Sequence, residues 1–234
     1  MKRFFSIAQA RVLAKLVFLG LFLSAFTAFA APVKNDQAAV YLTNALQNYW
    51  TSQALYVLGK AQISDSHLRS ASCSSAIQCA GPIMGITALG EDPRVFASND
   101  LVAQLSSFYS NGQLGELSLL NDDIFGILAL RAAGVPASDA IILDSKKYLL
   151  NNQNADGGFG YALGSSDIDD TAMAIMALKE AGASLDDVAI LNAIQYIKSA
   201  QNNDGGFPYD PVSPYGTDSN ANSTAWVVSM IYKI

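Results

Sequence analysis

Three carboxylic acids fall within four positions in the stretch QNADGGFGYALGSSDIDDTA, residues 153–172: Asp167, Asp169 and Asp170. An apolar run of helical pattern follows directly. Crowded and buried carboxyls push one another's pKa upward, so such a cluster can hold a proton at neutral pH and act as a general acid. The same residue type at the same place can instead cap a helix, because a side-chain oxygen there accepts the free backbone N–H groups of the first turn.

The chain contains its own control for this choice. YLLNNQNADGGF (148–159) recurs as YIKSAQNNDGGF (196–207), and NDDIFGILALRAAG (121–134) recurs as DDTAMAIMALKEAG (169–182), both with an offset of 48. Aligned on Gly134 and Gly182, Asp170 corresponds to Asp122, Asp169 to Asn121 and Asp167 to Leu119. Aligned on Thr-Ala, DIDDTA corresponds to NANSTA, with Asn220, Asn222 and Ser223 in place of the acids. Asp170 has cap-forming equivalents, Asp122 and Ser223, so it reads most simply as a helix cap. Asp167 and Asp169 have no acidic counterpart in the neighbouring repeats, which leaves an acid-specific role open for them.

The elements that must position these residues are helical. Residues 170–181 carry Ala172, Ile175, Met176 and Leu178 at helical spacing, and Gly182 stands where a left-handed cap belongs. ASLDDVAILNAIQYIKSAQ follows, with Asp186 as an N-cap and an apolar face of Val188, Leu191 and Ile194. No sustained period-two alternation signals a strand. The DGGF turns suit paired glycines and a phenylalanine, Phe159 or Phe207, folding back between helices. AAVYLTNALQNYWTSQALYVLG and GPIMGITALG read as worn copies of the hairpin, and NDLVAQLSSFYSNGQLGELSLL as a shortened one without DGGF. Self-similarity at this period predicts an all-α array of about four helical hairpins forming one continuous domain over residues 31–234, clearest over 121–234.

Residues 1–30 read as a signal peptide: a basic start, the apolar LVFLGLFLSAFTAFA, and Ala28-Phe29-Ala30 as a small-x-small cleavage site. Fifteen apolar residues are short of the roughly 20 that span a bilayer. The expectation is a secreted or periplasmic protein with no stable membrane span after cleavage. Removing that segment leaves ten basic against 20 acidic residues. So acidic a chain, its basic residues scattered, is not built for nucleic acid. Cys73 and Cys79 in an exported chain predict a small loop disulfide with a turn or break between them. One histidine, His67, and two cysteines do not complete a usual zinc site, so no metal is expected. No phosphate loop, His-Glu-x-x-His helix or nucleophile elbow occurs, and no cofactor is expected. The second turn is extended by FPYDPVSPYGTDS, which with Tyr161 brings Tyr209 and Tyr215 to one face as a ligand-binding rim.

These repeats resemble the glutamine-aromatic motif of the terpenoid cyclase and protein prenyltransferase superfamily. Tyr148-Leu149, Gln153 and Gly157-Gly158-Phe159 match it, as do Tyr196-Ile197, Gln201 and Gly205-Gly206-Phe207, with Phe in place of the more familiar Trp. The resemblance implies an α/α toroid, here a partial ring or open arc, since the chain ends partway into a repeat at STAWVVSMIYKI and is expected to be truncated. DIDDTA resembles the Asp-x-Asp-Asp-Thr-Ala motif of class II, squalene-hopene-type cyclases, whose middle acid protonates an alkene; that implies Asp169 as general acid flanked by Asp167 and Asp170. Exported proteins with this repeat, such as corrinoid carriers, resemble the chain in their Asp-Gly-Gly-Phe turns and Ser-Thr-Ala helix starts. They imply the leading expectation: a binding or surface module with an isoprenoid- or corrinoid-class ligand in its concave centre.

Overall fold

A computed structural model describes residues 35–60 and 63–234; the segment read as a signal peptide, 1–30, lies outside the described residues. Among the described residues ten α-helices follow one another: α1 (Asn35–Asn44), α2 (Tyr49–Val57), α3 (Ser66–Arg69), α4 (Ala76–Ala88), α5 (Leu101–Ser107), α6 (Leu120–Ala132), α7 (Ala140–Asn151), α8 (Ile168–Glu180), α9 (Val188–Ser199) and α10 (Ala221–Lys233). One two-residue hairpin, β1 (Tyr109–Ser110) with β2 (Gln113–Leu114), joins α5 to α6. It turns on Asn111-Gly112, both at positive φ (52° and 79°), as a tight antiparallel turn requires.

The even-numbered helices α2, α4, α6, α8 and α10 pack side by side in sequence order, while α7 and α9 lie against α6 and α8 from outside. This is the two-layered hairpin succession of an all-α toroid. The ends of the row approach each other: Trp50 of α2 and Trp226 of α10 meet with ring centroids 5.6 Å apart, and Phe125 of α6 lies 6.1 and 6.4 Å from them. The row therefore curves back on itself, and its centre is filled by these aromatic side chains.

Local chemistry explains why each inner helix ends where it does. Gly59, Gly90, Gly134 and Gly182 have φ of 71°, 80°, 79° and 79°, the left-handed conformation that terminates a helix and that other residues rarely adopt. Basic side chains from the preceding repeat then take up free carbonyls at the far ends. Arg94 donates to Ala133 O (2.8 Å), Arg131 to Glu180 O (2.9 Å) and Lys179 to Ile234 O (3.2 Å). Arg131 and Lys179 are themselves repeat equivalents, 48 residues apart.

The DGGF turns lock consecutive hairpins together. Gln153 donates to Gly157 O (2.8 Å) and to Ala189 O of the following outer helix (2.7 Å); Gln201 donates to Gly205 O (2.9 Å). Asp156 and Asp204 accept from Gly158 and Gly206 N–H and from Ser166 and Ser219 hydroxyls, all at 2.7–2.9 Å. The second glycine of each pair is required by space: a Cβ there would sit 2.6 Å from Ser166 or Ser219. Cys73, in the turn that leads into α4, is disulfide-bonded to Cys79 in the first turn of that helix, with Cα atoms 5.1 Å apart.

Candidate functional site

The acidic stretch folds so that its three carboxyls have three different environments at the start of α8. Asp167 is the N-cap: Oδ1 accepts from Asp170 N (2.7 Å), and Oδ2 accepts from Tyr161 N and from the Tyr209 hydroxyl, both at 3.2 Å. Asn220 performs the same task for α10, accepting from Ser223 N at 2.8 Å. The cap expected at Asp170 thus belongs to Asp167. The alignment on Thr-Ala contained this answer, since it pairs Asp167 with Asn220, a better cap former than Ser223 is at its own position. A similar correction applies to α9, whose N-cap is Asp187 rather than Asp186.

Asp170 is buried in the first turn, with Oδ1 lacking a partner. Burial, followed by the negative charge of Asp167, pushes its carboxyl up to about 8, so it is protonated at neutral pH. Asp123 of α6 is also buried and is raised to about 7, by burial first. Its Oδ1 accepts Leu114 N–H at 2.9 Å. Thr171 and Thr224 occupy the corresponding places, accepting Phe159 N–H (2.9 Å) and Phe207 N–H (3.1 Å). Leu114 is consequently the counterpart of the DGGF phenylalanines, and Asn-Gly-Gln-Leu, residues 111–114, is a worn DGGF. The signal that could have revealed it was the Asn-Gly pair ten to twelve residues ahead of the α6 acids.

Asp169 differs from both neighbours. Its Oδ2 accepts from Asn222 Nδ2 of α10 at 2.6 Å, while Oδ1 is buried without a partner. Burial raises its pKa, opposed by hydrogen bonding from Ser223 and Asn222. Counting back 13 residues from Gly90, Gly134 and Gly182 places Ile77, Asn121 and Asp169 at one level of the ring, with Asn222 joining by the Thr-Ala alignment. Counting back nine from Gly59 and these three gives Trp50, Gly81, Phe125 and Met173, with Trp226 joining likewise. Three of these five are the aromatic rings that meet at the centre. Residues four apart share a helix face, so Asp169 lies one turn from the axial layer on the same stripe.

A recess of about 210 Å³ opens beside this layer, lined by Tyr49, Trp50, Ile77, Gly81, Asn121 and Phe125. Gly81 leaves room for the Tyr49 ring, which a Cβ would approach to 2.6 Å. The tyrosines expected to form a rim separate. Tyr161 and Tyr209 come together at Asp167, and their carbonyls accept the first N–H of the preceding inner helix, from Leu120 (3.0 Å) and Ile168 (2.9 Å). Tyr215 is 99% exposed and takes no part in that arrangement. His67 is half-buried, its Nε2 3.0 Å from the Ser52 hydroxyl. Among the described residues, no group of three or more His, Cys, Asp or Glu is placed to hold a metal ion, and no helix is long and apolar enough to cross a membrane.

No curated protein matches the chain. Residues 128–231 match the squalene-hopene cyclase C-terminal domain, the segment running from the end of α6 through both complete DGGF turns to α10. That match, the two glutamine-aromatic repeats and the all-α fold agree, and together they support the terpenoid cyclase and protein prenyltransferase superfamily over this segment.

Proposed function

We propose that the chain is an exported, non-catalytic binding module built on a squalene-cyclase-like ring. The observation that carries this reading is the filled centre: Trp50, Phe125 and Trp226 pack against one another where a cyclase needs a cavity, and the recess left beside them is about 210 Å³. Pockets for drug-sized ligands run to roughly 300–1,000 Å³. A thirty-carbon isoprenoid or a corrinoid exceeds the recess and would have to bind at its rim. Asp167 fits the module reading too, since capping a helix and holding Tyr161 and Tyr209 occupies both of its oxygens.

One observation favours a second reading, a protonation-initiated isoprenoid cyclase. Asp169 has a buried oxygen without a partner, a raised pKa, and aromatic rings one helical turn away on the axial face. In that chemistry the Asp169 carboxyl gives its proton to an alkene carbon, the π pair forms the new C–H bond, and Asn222 stabilises the carboxylate that remains. The carbocation then lies against aromatic faces. Asp167 and Asp170 would tune the acid.

Native mass spectrometry of the chain without residues 1–30, offered a mixed extract of polyisoprenoids and corrinoids, separates the readings. A retained, chemically unchanged ligand supports the module. Conversion of a linear isoprenoid to an isomer of equal mass, lost in Asp169→Asn, overturns it in favour of the cyclase.

A further inference from the structure

We propose that the recess between α2, α4 and α6 is a binding site for a small organic ammonium ion that carries one O–H or N–H donor. The inference rests on the binding-module reading and names the ligand class. Every residue lining the recess lies outside the segment, 128–231, that matches the cyclase domain. The site is therefore a property of the divergent half of the ring.

Three of its six lining side chains are aromatic, and none is cationic. The rings stand at angles to one another: Trp50 is tilted 58° to Tyr49, with centroids 5.0 Å apart, and 65° to Phe125, with centroids 6.1 Å apart. Rings set this way form a corner rather than a stack. An alkylammonium head placed in that corner meets the negative ring quadrupoles from more than one side, which is how aromatic cages select such cations.

Asn121 supplies the polar anchor. The residue is only 6% exposed and lines the recess, and its Oδ1 is buried without a hydrogen-bond partner, so a turn of the amide about its Cβ–Cγ bond is what presents that acceptor to a ligand. A buried acceptor left unpaired is unfavourable, and a ligand hydroxyl or N–H relieves it. A plain hydrocarbon cannot. An anion is opposed by the ring quadrupoles and by a chain with formal net charge −6. Size also fits: an apolar cavity of ~150 Å³ holds a benzene-sized molecule, so a recess of about 210 Å³ takes an ion of about seven heavy atoms. Choline has those features.

The only two tryptophans of the chain, Trp50 and Trp226, both stand at the axial cluster, so intrinsic fluorescence reports occupancy directly. Choline is titrated at constant ionic strength beside its neutral isostere, 3,3-dimethylbutan-1-ol, in which carbon replaces the charged nitrogen. The expected result is a saturable response to choline, at least about tenfold tighter than to the isostere. Equal responses would make the recess an unselective apolar pocket and overturn the proposal, as would no saturable response to choline. Asn121→Asp adds charge with nearly the same shape, at a position where α8 already carries an acid; it should tighten choline and leave the isostere unchanged. Phe125→Leu should weaken choline by about five- to tenfold. Choline binding unaltered in both variants, with far-UV circular dichroism and melting temperature preserved, places the ion elsewhere and overturns the assignment. Failure of choline alongside a retained isoprenoid or corrinoid sinks the ligand class alone. Isoprenoid turnover dependent on Asp169 sinks the module reading, while the choline titration stands or falls by itself.

Discussion

The starts of α8 and α10 share a backbone plan but differ in charge. Asp167 and Asn220 cap, and Thr171 and Thr224 accept the N–H of the turn phenylalanine, with matching geometry. Between those fixed points α8 has Asp169 and Asp170 where α10 has Asn222 and Ser223. The plan therefore needs side-chain oxygens but not carboxyls. What α8 adds is ionisable chemistry in a buried place, and the amide facing it, Asn222, is the uncharged version of the same position.

The comparison breaks most visibly at the caps. Asp167→Ala removes the acceptor for three donors and should destabilise by about 3 kcal/mol, against about 1 kcal/mol for Asn220→Ala, measured by urea unfolding. Equal losses would mean that the cross-repeat bonds from Tyr161 and Tyr209 add nothing to the cap.

A smaller effect concerns pH. Asp170 and Asp123 titrate near 8 and 7 in the folded chain, against roughly 4 when unfolded. Above pH 4 the unfolded chain gives up these protons first, so the folded state binds more of them and stability falls as pH rises towards 8. The melting temperature should therefore drop by at least several degrees between about pH 5 and 9. Asp170→Asn should flatten the upper part of that slope; an unchanged slope would place the proton on another group.

The smallest expected change is Asp169→Asn. Its own neighbour in the ring, Asn222, shows that an amide is tolerated at this level, and unfolding should shift by within about 0.5 kcal/mol. A loss several times larger would make Asp169 a structural acid and weaken any catalytic reading of its substitution.

Much of this arrangement was legible before the structure. The offset of 48, the closing glycines and the two DGGF turns follow from local rules: left-handed backbone, side-chain bonds to nearby amides, and one apolar face per helix. The need for a break between Cys73 and Cys79 is equally local. The cap was misplaced by three residues because Asp167, Asp169 and Asp170 have similar capping ability. Which one caps depends on where the chain arrives from the preceding turn, and that is fixed by the Phe159–Asp167 bridge. The worn hairpins resisted reading because Leu114 and Asp123 do the work of Phe159 and Thr171 with different side chains.

The sequence by itself determined the repeat, its helical class and the residues that end each helix, because these depend on neighbours within a few positions along the chain. Only the tertiary structure decided which stripe faces the axis. Residues Ile168–Leu178 of α8 are buried on every side, so no polar face marks a direction. The layer of Trp50, Phe125 and Trp226, the unpartnered oxygen of Asp169 and the recess beside Asn121 arise where helices far apart in sequence converge, and their positions are set by packing across the ring.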